Sequence, residues 1–407
     1  MDKEYILKHK NYPVLSFKLS DDYELSEITE IYDEKRLPFG LKYIGLPVAQ
    51  NIQFSDWIEN RGLPRSRSDL ANIEYELNVK NSVELSFGSY ALNLTDHYWV
   101  HKSDSNLNWN NINFFENDFK EVIDFDFIGV NKNIKDTDIS PDLTVDGNLR
   151  KKWIILNNDR FLLKGSRYNE MQEPFNEVIA SDIMNLFGID HVEYKLIRSK
   201  INNIPLSICK CMTDINNELI TARVVIDTEA KENRNDYDRF IQICDNNGIK
   251  DVKEKLDDMM IIDFIIGNTD RHKNNFGILR DSDTLEWKKL APIFDNGNSL
   301  FHSDPKIDII EDNMNSLCKW LGGSNYSRLD YIGFPKWYSE DKFKDIGNIV
   351  GDVLYKNENI NKDKKDKLVY IVNLRAKELI KILNQKRNNN FVQGISLDSE
   401  NNRSVPR

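Results

Sequence analysis

Apolar and polar positions follow their clearest rhythm between residues 151 and 212. KKWIIL and FLLKG flank the polar turn NNDR, a pattern that predicts a β-hairpin. EPFNEVIASDIMNLFG then places Phe175, Ile179, Ile183 and Leu186 at helical spacing, with Pro174 near its start and Gly188 at its stop. VEYKLIRSKINNIPLSICKCM reads as two further strands joined at Asn202-Asn203. From Asp251 the pattern is mostly helical, interrupted by IIDFIIGNTDRHKNNFGILRDSDTLEWKKLAPIFDNGNSLF, where FGILR and LEWKKL form a second hairpin through DSDT. Residues 1–138 are mixed: FSDWIENRGLP and SRSDLANIEYEL read as short helices, and SYALNLTDHYWV as a loop entering an aromatic-rich segment. No internal repeat is present. These shifts divide the chain into an N-terminal domain (1–138), a β-rich lobe (139–213), a helical lobe (214–388) and a polar, frayed tail (389–407).

Composition narrows the function classes. With 407 residues, 40% of them hydrophobic, the chain has apolar material for more than one core. A formal charge of −11 argues against a surface given over to nucleic acid. The densest basic stretch, NRGLPRSRSDL with Arg61, Arg65 and Arg67, reads as a solvated turn and helix start. Cys209, Cys211, Cys244 and Cys318 are too few for a disulfide framework, and Cys209-Lys210-Cys211 lacks zinc-ligand spacing, so reduced thiols are expected. The first residues have no signal-peptide core, and no apolar run reaches membrane length; the expectation is a soluble, cytoplasmic protein that engages no membrane.

Hairpin, helix, two strands and then a helical region is the element order of an α+β, two-lobed nucleotide phosphotransferase, with a small β-rich N-lobe, a helical C-lobe and an additional N-terminal domain. Phosphoryl transfer needs a lysine for the donor phosphates, oxygen ligands for a metal, and a carboxylate that orients the acceptor hydroxyl. Asp270 and Asn275 have the Asp-x4-Asn spacing that places the carboxylate and a metal-binding amide on one loop, and Asp295 follows a strand end as a second metal ligand. Lys164 closes the apolar run of FLLKG, and Glu177 lies on the next helix, where it can pair with the lysine. Taken singly, such residues usually cap turns and helices. Their joint occurrence is what points to catalysis. Arg271 and His272 are expected to brace the loop.

NTDRHKNNFGIL followed by APIFDNG resembles the catalytic core of HipA-like kinases, the serine/threonine kinase fold of bacterial persistence toxins, over residues 140–385. The resemblance implies ATP and Mg2+ as cofactors and a protein Ser/Thr substrate; a regulatory partner protein is left open. It implies Asp270, Lys164 and Glu177 as catalytic residues and Asn275 and Asp295 as metal ligands, with Cys211, Met212 and Thr213 as the hinge that meets adenine. TVDG, with Thr144 and Gly147, resembles the family's phosphate-loop segment with threonine in place of serine; the family's loop can be phosphorylated and ejected. Here SPDLTVDGNLRKKW is poor in glycine, and residues 1–138 do not match the toxins' N-terminal subdomain, so partner and DNA-binding habits are not carried over. Two rival readings stand beside this one. Asp-Arg-His-x-x-Asn also occurs in phosphatidylinositol kinases, whose substrate is a lipid. A nucleotide-binding pseudokinase would be favoured by loss of Lys164, Asp270, Asn275 or Asp295, and all four are present.

Overall fold

The computed structural model describes residues 2–41, 47–65, 67, 70–121, 139–144, 150–200, 202–228, 235–307, 319–320 and 322–401. By its internal contacts the chain divides into two compact units. Met1–Arg167, Val192–Lys250 and Lys273–Pro292 form the first; Tyr168–His191, Asp251–His272 and Ile293–Arg407 form the second.

The first unit holds every strand of the described residues: β1 (Lys3–His9), β2 (Tyr12–Leu19), β3 (Leu25–Ile31), β4 (Tyr98–Lys102), β5 (Lys151–Leu156), β6 (Asp159–Lys164), β7 (Tyr194–Arg198), β8 (Pro205–Lys210), β9 (Asn217–Thr221), β10 (Gly277–Asp281) and β11 (Trp287–Leu290). They make three sheets, ordered β3-β2-β1-β4, β5-β6-β8-β7 and β11-β10-β9. The β5–β6 hairpin forms as expected, with Lys151 opposite Lys164. Its two loop residues, Asn157 and Asn158, have φ of 52° and 67°. Two left-handed residues in succession match the twist of a two-residue hairpin, and asparagine tolerates that region better than other side chains with a Cβ.

The β1–β2 hairpin was not visible as alternation, because Lys8, His9 and Lys10 interrupt the apolar run. Its inward face is nevertheless Tyr5, Leu7 and His9. Tyr5, Leu7, Val14, Leu15, Phe17 and Leu19 join Phe54 and Ile58 of the helix Pro47–Glu59 in one core. A second core joins Trp99, Trp109 and Phe114 to Trp153, Ile154, Leu163 and Leu206 of the β5–β8 sheet. The N-terminal residues thus cover the apolar face of the sheet that carries Lys164. The basic stretch behaves differently from the expected solvated turn. Arg61 and Arg67 are buried and only Arg65 is exposed. The Arg61 guanidinium donates to the Tyr98 carbonyl at 3.0 Å and pairs with Asp96, which consumes its charge inside the fold.

The second unit is helical: Glu173–Phe187, Val252–Ile266, Asn325–Arg328, Glu340–Phe343, Ile346–Leu354 and Lys362–Asn401. The helix Val252–Ile266 is its axis, with Leu256, Ile261, Ile262, Phe264, Ile265 and Ile266 at 0% exposure. It ends at Gly267, whose φ of 60° is left-handed and whose Cα faces the Arg375 guanidinium so closely that any side chain would collide with it. The last helix continues past Asn388, where the sequence pattern predicts a frayed tail. Among the described residues, no helix is long and apolar enough to cross a membrane.

Candidate functional site

In the second unit the site grows from a carboxylate inside an apolar helix. Asp263, in the last turn of Val252–Ile266, is 2% exposed and accepts from Asn268 Nδ2 at 3.0 Å. It also pairs with Arg271, which is fully buried, through Nη2–Oδ1 at 2.9 Å and Nε–Oδ2 at 3.0 Å. The same guanidinium donates to the Phe294 carbonyl and to Asn296 Oδ1, each at 2.6 Å. A planar fork with five donors can span these acceptors; an ammonium cannot. Arg271 therefore ties the loop 267–272 to the loop 293–299, as its bracing role predicts.

Asp270 sits at the centre of that loop. Its backbone N–H donates to Asn268 Oδ1 at 2.9 Å, its Oδ2 accepts from Asn298 Nδ2 at 2.6 Å, and its Oδ1 accepts from Lys319 Nζ. Thr269 N–H donates to the Asn298 carbonyl at 3.0 Å, so the two loops are joined by backbone as well. Asp295 has φ of 60°, a left-handed position uncommon for a residue with a Cβ and typical of functional loops. It is held from its neighbour: Glu177 Oε2 accepts from Asn296 N–H at 2.8 Å. Asn176 Nδ2 adds bonds to the carbonyls of Gly297 at 2.9 Å and Ser299 at 2.7 Å. The start of the helix Glu173–Phe187 thereby clamps the loop that carries Asp295.

In the first unit Lys164 ends β6, 3% exposed. Its Nζ donates to Tyr194 Oη at 3.1 Å and lies 5.0 Å from the centre of that ring. Cys211, Met212 and Thr213 follow β8. Cys211 N–H donates to the Arg160 carbonyl at 2.8 Å, and the Thr213 hydroxyl donates to the Leu94 carbonyl. Burial pushes the Cys211 thiol up from its ordinary value, so it stays protonated. Asn275 is buried just before β10. Thr144 closes the short helical turn Pro141–Thr144 and points its hydroxyl inward, onto the Leu92 carbonyl at 2.6 Å. Gly147 lies outside the described residues, as does Cys318.

Asn275 carries an amide oxygen and Asp295 a carboxylate, each a donor type that suits Mg2+. A second group of metal-type donors, His9, His97 and Glu218, has ligand atoms within 4.8 Å of one another. Protein donors already fill it: Arg36 faces His9 Nδ1 at 3.1 Å, and Arg280 donates to Glu218 Oε1. With an arginine on Nδ1, His9 carries its proton on Nε2 and gives it to Glu218, 3.1 Å away. That leaves Nε2 no lone pair for a metal.

Sequence reasoning did not single out Asp263, Asn296, Asn298, Lys319 or Tyr194. One of them left a visible signal: Asp263 is the lone carboxylate within IIDFII, and a charge in a buried helix requires a partner. The others are recognised only through what they touch.

Residues 146–348 match the family model described as the HipA-like C-terminal domain. The chain is 30% identical to the serine/threonine-protein kinase CtkA of Helicobacter pylori across 38% of its own length, and spans about half (51%) of that relative. Among solved structures it is similar to the crystal structure of the Helicobacter pylori proinflammatory kinase CtkA, with 22% identity, 58% of this chain, 93% of that one and a TM-score of 0.46. It is also similar to HipA of Shewanella oneidensis MR-1, solved with HipB and operator DNA, with 11% identity, 94% of this chain, 99% of that one and a TM-score of 0.58. The last likeness extends the kinase-like α+β fold over nearly the whole chain.

Proposed function

From a chain whose residues 146–348 belong to the HipA-like C-terminal domain family, we propose a serine/threonine protein kinase that uses Mg-ATP. The observation that carries this reading is Asp270. Its carboxylate is held at both oxygens, on a loop that Arg271 and Asn298 bind to the loop carrying Asp295. Such a carboxylate is preorganised to orient one hydroxyl.

The remaining roles follow from chemistry and burial. Lys164, dry and packed on Tyr194, presents an ammonium for donor phosphates. Asn275 and Asp295 would hold the metal through oxygen. Glu177 keeps the Asp295 loop in place through Asn296. The backbone of Cys211–Thr213 would meet the adenine. Mg-ATP, when bound, supplies the phosphoryl group and neutralises its charge. Asp270 takes the proton of the acceptor hydroxyl. The acceptor is a protein serine or threonine in this reading, as the kinase named among the relatives suggests. A regulatory partner protein is also proposed, since the relative of matching fold was solved with one.

Purified protein incubated with labelled ATP, magnesium and cell extract should phosphorylate protein, and lipid vesicles added in place of extract should stay unlabelled. Labelling confined to the lipid would shift the reading to a phosphatidylinositol-type kinase.

A further inference from the structure

We propose that Lys319 is a catalytic residue of this site: it holds Asp270 before transfer and stabilises the charge of the moving phosphoryl group during it. The inference rests on the reading of Asp270 as the residue that receives the hydroxyl proton.

Three observations carry it. First, the Lys319 ammonium donates to Asp270 Oδ1, while Asn298 holds Oδ2. One donor on each oxygen fixes the plane of the carboxylate. Second, Lys319 is 49 residues from Asp270 in sequence, so only the fold brings its ammonium to that carboxylate. The next residue, Trp320, is 4% exposed, and Asn325, 1% exposed, donates from Nδ2 to the Asn268 carbonyl at 2.7 Å. An exposed lysine would gain little by ordering its long side chain alone; here its neighbour Trp320 is buried. Third, the Lys319 side chain remains 62% accessible, so its ammonium keeps its hydration and is not consumed as a structural ion pair. Arg271, with no exposure, is the contrasting case.

The geometry of the reaction completes the argument. Whatever hydroxyl Asp270 orients must lie within hydrogen-bond reach of its carboxylate. The ammonium on that carboxylate is then within a few ångströms of the oxygen being phosphorylated. During transfer the acceptor oxygen bonds to the γ-phosphorus as the bridging P–O bond breaks, ADP leaves, and the hydroxyl proton passes to Asp270. Charge spreads over the three other oxygens of the phosphoryl group, where a cation contributes most. Lys319 has three donors and gives one to Asp270; it exchanges neither protons nor electrons.

The test compares Lys319→Met, Lys319→Arg and Asp270→Asn with wild type. Calorimetry reads binding of Mg-ADP and of Mg-ADP with aluminium fluoride, a mimic of the transferring phosphoryl group, and turnover is measured separately. Lys319→Met should bind Mg-ADP within about twofold of wild type, yet lose roughly tenfold to a hundredfold both in affinity for the fluoride complex and in kcat. Lys319→Arg should recover part of each, and the melting temperature should not move. Lys319→Met with unchanged or raised kcat and unchanged fluoride affinity, beside an inactive Asp270→Asn, would overturn the role of Lys319 alone. An active Asp270→Asn would remove the reading of the site, and this proposal with it.

Discussion

Arg271 and Asp263 show how one buried pair organises the loop that carries Asp270. Deleting Asp263 leaves a guanidinium at zero exposure without its counter-ion, which costs about 3–5 kcal/mol. Asp263→Ala should therefore lower the midpoint of urea unfolding severely, and an unchanged midpoint would contradict the account. Arg271→Lys should retain the fold but lose most activity, because one ammonium cannot reach Asp263, the Phe294 carbonyl and Asn296 together. Asp258 offers a cleaner stability test. Burial raises its carboxyl to about 6, against a hydrogen bond from Trp337 Nε1 at 2.7 Å. A carboxyl raised in the folded state binds more protons there, so its ionisation destabilises the fold as pH rises from about 4 to 6. Asp258→Asn keeps an acceptor for Trp337 and should raise the melting temperature at pH 7.5 but hardly at pH 4; a gain equal at both would count against this assignment. At this scale Asp270, Asn275 and Asp295 are readable as candidates from spacing alone, since loop chemistry is local. Asn298 and Lys319 were not, because only the fold brings them to Asp270.

Elements couple through charge as well as apolar surface. Glu218 on β9 accepts from His9 Nε2 of β1, faces His97 Nδ1 just before β4 at 3.1 Å, and pairs with Arg280 of β10, whose Nη2 also reaches Tyr98 Oη at 3.0 Å. Arg36 closes the network on His9 Nδ1. Burial opposes ionisation of Glu218, but its bonds from His9 and His97 and the charge of Arg280 prevail and hold it well below the usual carboxylate range. Burial pushes His9 below its ordinary value, only partly offset by Glu218. A histidine lowered in the folded state takes up its proton on unfolding, so stability is lost as pH falls below about 6.5. Glu218 adds its own loss only below about 4.5, where the unfolded carboxyl becomes protonated. His9→Gln should flatten the stability profile between about pH 5 and 6.5 in urea titrations; an unaltered slope there would show that another group sets it. The β5–β6 hairpin was readable from Asn157-Asn158, a local turn. The β1–β2 hairpin was not, since the burial of His9 depends on a glutamate 209 residues away.

At the scale of the molecule, the N-terminal residues and the β5–β8 sheet share one core. Removing 1–138 would expose Trp153, Ile154, Leu163 and Leu206 together, an apolar patch of the kind that drives aggregation. Residues 139–407 alone should be insoluble or melt well below the full chain, and a soluble fragment with the parent's melting temperature would contradict this. The element order made the kinase-like α+β fold legible, but the packing of the first 138 residues was not, because their partners lie in a later sheet. The central claim is that Asp270 receives the proton of a protein hydroxyl during phosphoryl transfer. Its most direct test is Asp270→Asn, measured for phosphate transfer to protein from labelled Mg-ATP and for Mg-ATP binding on the same preparation. The account predicts turnover lower by roughly a hundredfold or more with affinity nearly unchanged. Wild-type turnover in that variant would contradict it.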